Sequence, residues 1–334
     1  MGALFIHGMG HFHPETVIDN AFLEELDIGT NEEWILERVG IHERRTVLPL
    51  QYIRDTRNQD PGAARDAAVY DNPETAARAA AQALQRAGLQ ADDIGLVVSG
   101  GCYPDMAIPA EASRVAATLG ISAPGIDLNS ACSTFGAQMH FLAAMSGLPP
   151  FVLVVNPENT TRAVDYADRR TAVLWGDGTS AAIVSTQEPS ACKIVETTLA
   201  ADSARWEAVC IPRFGHFYQD GNAVQRFAIK TTAACGEALL PAAQERVAAT
   251  GGALRFIGHQ ANLLMLQAVA RRLGLEEEAH WYNVDRFGNT GAAGAPGVLS
   301  QFWDDLSPGD SVIVVVVGSG LTWSSLRIDV EEAG

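Results

Sequence analysis

The chain is short of basic residues, aromatic rings and pairable cysteines, and each shortage closes off a class of protein. It carries 23 Lys+Arg against 40 Asp+Glu, a formal charge of −17. A nucleic-acid binder needs a basic surface to neutralise phosphates, so that class is excluded. A few local arginines can still reverse the field in one pocket, which leaves a phosphorylated cofactor open. The five cysteines are odd in number and show no CxxC spacing, so neither a disulfide framework nor a zinc pattern follows. A reducing cytoplasm is the simplest setting for free thiols. The longest strongly apolar run, SVIVVVVG, is too short to span a bilayer. The start, MGALFIHGMGHFHPE, lacks a basic region and a long apolar stretch and is not read as a signal peptide. Aromatics make up only 7%, while Gly and Ala are abundant, which suits close-packed helices and sheets.

What is present is ample: 334 residues, 47% hydrophobic, enough for a sizeable core and two lobes of ordinary size. Short β-branched runs alternate with helical stretches, which predicts α/β layers around buried sheets. In NPETAARAAAQALQRAGL, Asn72 is expected as N-cap, Pro73 as first helical residue and Gly88 as the stop. AIKTTAACGEALLPAAQERVAATG reads as helical, with Pro241 as a kink or boundary. The second half echoes the first in element order without a crisp sequence repeat. Two similar halves, 1–187 and 188–334, follow as an expectation. Residues 50–70 have weak periodicity and read equally as a surface excursion or a cap over a site.

Three stretches carry chemistry. DLNSACSTFG puts Cys132 where a strand turns into a helix, and free N–H groups and the dipole at a helix start favour a thiolate. The bland alternative is a small buried hydrophobe. RFIGHQANLLML puts His259 just after a buried strand. RFGNTGAAGAPG puts Asn289 in a loop of small residues, where turn chemistry is the ordinary explanation. Each signal is weak alone. Together, Cys, His and Asn form a known type of nucleophilic site.

Here a resemblance becomes specific. EEWILERVGI, ACSTFG, DYADRRTAVLWGDGTSAAIV, GHQAN, RFGNTGAAG and GSGLTW, in this order along nearly the whole chain, resemble the β-ketoacyl-acyl-carrier-protein synthase III family of the thiolase superfamily. The resemblance implies a thiolase-like, five-layered αβαβα fold of two similar halves and a homodimer. It implies that Cys132 takes an acyl group from an acyl-coenzyme A. His259 and Asn289 then stabilise the enolate formed when a malonyl thioester loses carbon dioxide. Backbone N–H groups of Cys132 and Gly320 form the other oxyanion hole. No metal and no permanently bound cofactor are implied; coenzyme A thioesters are substrates. Trp34 would stack on adenine, Arg38 and Arg169 would contact the nucleotide end, and Asn262 would reach the pantetheine arm. Asn289 is the residue that favours condensation. An Asp there, found in related acyltransferases, would repel the enolate.

The chain also departs from the family pattern. Leu264 stands where a basic residue often helps to dock the acidic carrier protein, although Arg226 is a remaining basic candidate. ACSTF replaces the common ACAGF. Free coenzyme A thioesters or a specialised carrier, and a specialised pathway, fit these departures. An acyl carrier protein remains a candidate partner; no membrane or nucleic-acid partner is expected. YPDMAIP is expected near the dimer interface, with Met106 and Ile108 tuning acyl length or simply lying in a surface loop. Cys102, Cys192, Cys210 and Cys235 are read as structural. Two other functions stay open: a nondecarboxylating acyltransferase, and a noncatalytic subunit of a heteromeric synthase.

Overall fold

The computed structural model describes residues 2–332. Nine strands are hydrogen-bonded in the order Leu254–Gly258, Ser311–Gly318, Thr322–Val330, Cys192–Ala201, Leu4–Phe12, Gly178–Ser185, Phe151–Glu158, Ile94–Ser99, Gly125–Asp127. The first four come from the second half of the chain and the last five from the first. The two groups meet through only three residue pairs, Leu4 with Ile194 to Ile6 with Cys192. Counted within the first half, the strand order is 3-2-4-5-1, and the fifth strand runs antiparallel to both neighbours. The second half repeats this order without a counterpart of the third strand.

Helices separate these strands into layers. Asn72–Ala87 and Glu111–Leu119 cover the outer face of the first-half strands. Gly221–Thr250 covers the outer face of the second-half strands, and Leu263–Leu273 packs on it. Between the two halves lie Thr134–Ala144 and Gly294–Gln301, each touching strands of both. Both are buried along most of their length, although Phe141 of the former reaches the surface. Phe135, Met139 and Leu142 of the former share one core with Leu4 and Ile6 on one side and Val316 and Leu326 on the other. This is the expected five-layered αβαβα, thiolase-like architecture.

Local chemistry explains the helix bounds and corrects two expectations. The N-cap of the first long helix is Asp71, not Asn72. Asp71 accepts from the Glu74 N–H at 2.9 Å while the Glu74 carboxylate accepts from the Asp71 N–H at 2.9 Å, a reciprocal capping box. Asn72 is buried instead and serves tertiary structure, donating to Glu111 and the Tyr103 carbonyl. Gly88 ends the helix in a left-handed conformation, as expected. Pro241 is no boundary: the helix runs unbroken through it from Gly221 to Thr250. Residues 50–70 form two short helices, Leu50–Thr56 and Pro61–Ala67.

The Asn72–Ala87 helix lies unusually close to the first strand. A Cβ at Gly10 would overlap the Ala79 carbonyl oxygen, and its nearest other neighbour, Ala83 N, would be at 2.8 Å. Backbone cannot yield there as a side-chain end could. Gly10→Ala should therefore lower stability by about 1–3 kcal/mol, read as a lower thermal midpoint with the far-ultraviolet spectrum unchanged.

Candidate active site

Cys132 follows the short strand Gly125–Asp127 and precedes the buried helix Thr134–Ala144. The turn is tight. Ala131 holds a left-handed φ of 48°, rare for a residue with a Cβ, and the Asn129 side chain supports it by accepting the Ala131 N–H at 2.8 Å. Hydroxyls then tie the turn to the opposite half. Ser130 and Ser133 oxygens are 2.9 Å apart, and Ser133 lies 2.7 Å from Thr322 Oγ1. A Cβ at Gly318 would sit 3.0 Å from the Cys132 nitrogen, so glycine is what lets the end of the Ser311–Gly318 strand close on the nucleophile turn. Gly320 lies in that same turn, between the Ser311–Gly318 and Thr322–Val330 strands.

His259 sits at the end of Leu254–Gly258, buried, with its imidazole close enough for its hydrogen bonding and charge to act on the Cys132 thiol. Its Nδ1 has no hydrogen-bond partner among the described residues. Asn289 is also buried. Its Oδ1 accepts the Gly291 N–H at 3.0 Å, and its backbone is clamped to Leu174 and Gly176. The side-chain amide therefore orients its oxygen into the loop. That oxygen bond leaves Nδ2 as the outward donor. The Asn289 loop approaches the His259 turn directly: a Cβ at Gly294 would lie 2.9 Å from Gln260 Cβ. The structure thus joins loops from both halves around one sulfur.

A second thiol stands there as well. Cys102, read from the sequence as structural, has its Sγ 3.7 Å from that of Cys132. Strands Ile94–Ser99 and Gly125–Asp127 pair in parallel, so the loops leaving their C-terminal ends must meet. The Cys102 S–H beside Cys132 holds the Cys132 thiol well below its ordinary value of 9.0. The His259 bond and charge add to this, while burial opposes it. The Cys102 thiol moves the other way, well above its ordinary value, first through its bond to Cys132 and then through burial.

Beneath both lies Glu158, fully buried. Its carboxylate accepts the Cys102 N–H at 2.9 and 3.0 Å, the Thr160 hydroxyl at 2.8 Å and the Ala292 N–H at 2.8 Å. Burial first, and then the nearby Cys132 charge, raise its pKa from 4.5 to about 7. Asp177 of the WGDG stretch is structural: it accepts the Thr161 and Val47 N–H groups at 2.8 and 2.7 Å.

The four expected coenzyme A contacts also gather. Trp34 is half-buried on the helix Glu32–Val39. The Arg169 and Arg38 guanidiniums lie 4.8 and 5.7 Å from its ring centroid. Asn262 caps the helix Leu263–Leu273 through the Met265 N–H and donates to the Arg38 carbonyl at 3.2 Å. Much of its amide is thus committed to joining two helices. Leu264 is half-buried and Arg226 exposed.

Two family models match: 3-oxoacyl-[acyl-carrier-protein] synthase III over residues 126–203, and the C-terminal region of the same enzyme over 253–330. The β-ketoacyl-[acyl-carrier-protein] synthase III of Syntrophomonas wolfei is 33% identical, with 97% of this chain and 96% of that protein covered. The chain belongs to the β-ketoacyl-[acyl-carrier-protein] synthase III family. It is accordingly an acyltransferase-class condensing enzyme. Among solved structures, the synthase III of Aquifex aeolicus superposes with a TM-score of 0.83 at 27% identity, covering 98% of this chain and 99% of that one. The priming β-ketosynthase of the R1128 polyketide pathway superposes at 0.79 with 25% identity, covering 99% and 97%.

Within this synthase III family member, a cleft of about 740 Å³ opens beside Cys102. Pro61 and Arg65 of the 50–70 segment line it, together with Tyr103, Met106, Arg213 and Phe214. The segment is therefore a wall of the cleft rather than a remote excursion. Ile108 does not line it and is 83% exposed. The loop carrying Cys102 is pinned by Asp105, which pairs with buried Arg162 at 2.6 Å and with Arg114 at 2.7 Å.

Two outcomes follow. Iodoacetamide should alkylate Cys132 with a pH midpoint below the ordinary thiol value of 9.0, and His259→Ala should raise that midpoint; mass mapping across a pH series reads both. Glu158 binds its proton more tightly folded than unfolded. Stability is therefore lost as pH rises from the unfolded value of 4.5 through the folded value near 7. Glu158→Gln removes that loss. Between about pH 5 and pH 8, urea unfolding should show the parent falling relative to the variant by up to roughly 3 kcal/mol.

Proposed function

We propose that this enzyme loads an acyl group from an acyl-coenzyme A onto Cys132 and extends it with a malonyl-type thioester by decarboxylative Claisen condensation. The observation that carries this reading is Cys132 beside His259 where the two halves meet, with the Asn289 loop packed against the His259 turn. A thiolate is both a good nucleophile and a good leaving group. It attacks the thioester carbonyl, and coenzyme A departs as its thiolate.

His259 and the Asn289 Nδ2 then face the extender carbonyl. As the carboxylate C–C bond breaks, its electron pair becomes the enolate, and two neutral donors take up the developing oxyanion charge. The enolate carbon attacks the acyl–Cys132 carbonyl. The C–S bond breaks, Cys132 returns as thiolate, and a β-ketoacyl thioester leaves. Backbone N–H groups of Cys132 and Gly320 serve the tetrahedral oxyanion. Residues 1–187 supply the nucleophile and 188–334 the two donors. Trp34, Arg38 and Arg169 hold the nucleotide of coenzyme A, and Asn262 the pantetheine arm.

Several features support an extender carried on coenzyme A or on a specialised carrier. The charge of −17 repels an acidic carrier protein, and Leu264 offers it no ion pair. Homodimerisation fits Phe214 at 90% and Ile108 at 83% exposure, apolar groups near the cleft that a partner would cover. Free thiols fit a cytoplasmic enzyme, and among the described residues no helix is long and apolar enough to cross a membrane.

The deciding experiment is intact mass after exposure to a panel of acyl-coenzyme A starters, beside Cys132→Ala. One adduct on the parent and none on the variant is expected. Addition of malonyl-coenzyme A should then release carbon dioxide; transfer without that release would make the enzyme a nondecarboxylating acyltransferase. Asn289→Asp keeps the oxygen that accepts the Gly291 N–H but loses the Nδ2 donor. It should retain acyl loading while condensation falls by about 10²–10³-fold. Loss of loading in that variant would count against the assigned role.

A further inference from the structure

We propose that Cys102 and Cys132 form a reversible redox pair, in which Cys102 resolves an oxidised Cys132 as a disulfide. The idea rests on the same reactive Cys132 invoked for condensation, but it concerns a residue that condensation does not use. Three observations carry it. The two sulfurs are 3.7 Å apart, whereas a disulfide bond is about 2.05 Å long. The sulfurs therefore need to close by less than about 2 Å, a distance within reach of side-chain rotation. Cys102 is partly exposed on the wall of the 740 Å³ cleft, so a small oxidant has a path to the pair. The backbone of Cys102 is fixed by Glu158 and by the Asp105 ion pairs, so its sulfur stays opposite Cys132.

The chemistry balances with a peroxide as oxidant. The Cys132 thiolate attacks one peroxide oxygen, the O–O bond breaks, and a sulfenic acid and hydroxide form. The Cys102 sulfur then attacks the Cys132 sulfur. The S–O bond breaks, and the departing hydroxide takes the Cys102 proton as water. The product cannot be acylated. It also cannot proceed to sulfinic acid, which thiols do not reverse. Exchange with an external dithiol restores both groups. The remaining cysteines lie elsewhere: Cys192 on the strand Cys192–Ala201, Cys210 donating to the Trp206 carbonyl, and Cys235 on the outer helix Gly221–Thr250.

The test treats the full chain with hydrogen peroxide, blocks free thiols and maps the linked peptides by mass. The expected product has lost two hydrogens, joins Cys102 to Cys132, refuses acyl-coenzyme A and regains loading after dithiothreitol. Cys102→Ser and Cys102→Ala should form no such link and should accumulate doubly oxygenated Cys132 about tenfold faster than the parent. A parent that reaches sulfinic acid as fast as these variants, or that links other cysteines, would overturn the proposal, and the parent alone decides this if a variant fails to fold. The two readings also separate. Acyl loading without the link removes the redox pair and keeps the enzyme assignment. A link in a chain that never loads an acyl group keeps the pair and removes the assignment.

Discussion

Much of the site hangs on one buried carboxylate. Glu158 ends a central strand of the first half, and its two oxygens receive N–H groups from the Cys102 loop and the Asn289 loop, plus the Thr160 hydroxyl. These loops belong to different halves of the chain. A Cβ at Gly291 would stand 2.5 Å from the same carboxylate, so the condensing loop can reach it only because glycine lies there. The carboxylate and the Cys132 thiolate both carry negative charge in a region that water hardly enters. Burial is the main cause of the raised pKa of Glu158, and repulsion by the Cys132 charge adds to it.

The order of elements was legible in the sequence because buried strands and amphipathic helices have distinct periods. Cys132, His259 and Asn289 were legible as candidates because each sits at an element edge in a recognisable motif. Cys102 was not. Its neighbours form no motif, and its importance comes from the parallel pairing of two strands, a long-range fact. Glu158 was missed for a similar reason: FVLVVNPE reads as a buried strand, and only the fold reveals what the carboxylate at its end holds. The Asp71 cap was displaced by one residue because Asn72 and Asp71 are both good caps by type. Tertiary demand for the Asn72 amide decided between them. Pro241 shows the limit of a local rule, since packing on both sides of a long helix tolerates what an isolated helix would not.

The wall around the nucleophile is rigid on one side. Asp105, Arg162, Arg114 and Glu111 form a connected set of ion pairs beneath the Cys102 loop. With Asp105 and Arg162 almost wholly shielded, loss of either would leave a bare charge behind. The cleft is also lined by the short helix Pro61–Ala67, with Arg213 and Phe214, the last 90% exposed.

The helix that follows Cys132 has a consequence for how the chain comes into being. Phe135, Met139 and Leu142 face strands made from both ends of the sequence, including Val316 and Leu326. During synthesis the first half emerges with that helix clad on one side only. Its other side stays greasy and bare until the last strands are translated. The newborn enzyme therefore passes through an interval in which its future nucleophile lies beside a sticky surface. Shielding by a chaperone, or rapid delivery of the closing strands, is what the architecture asks of the cell.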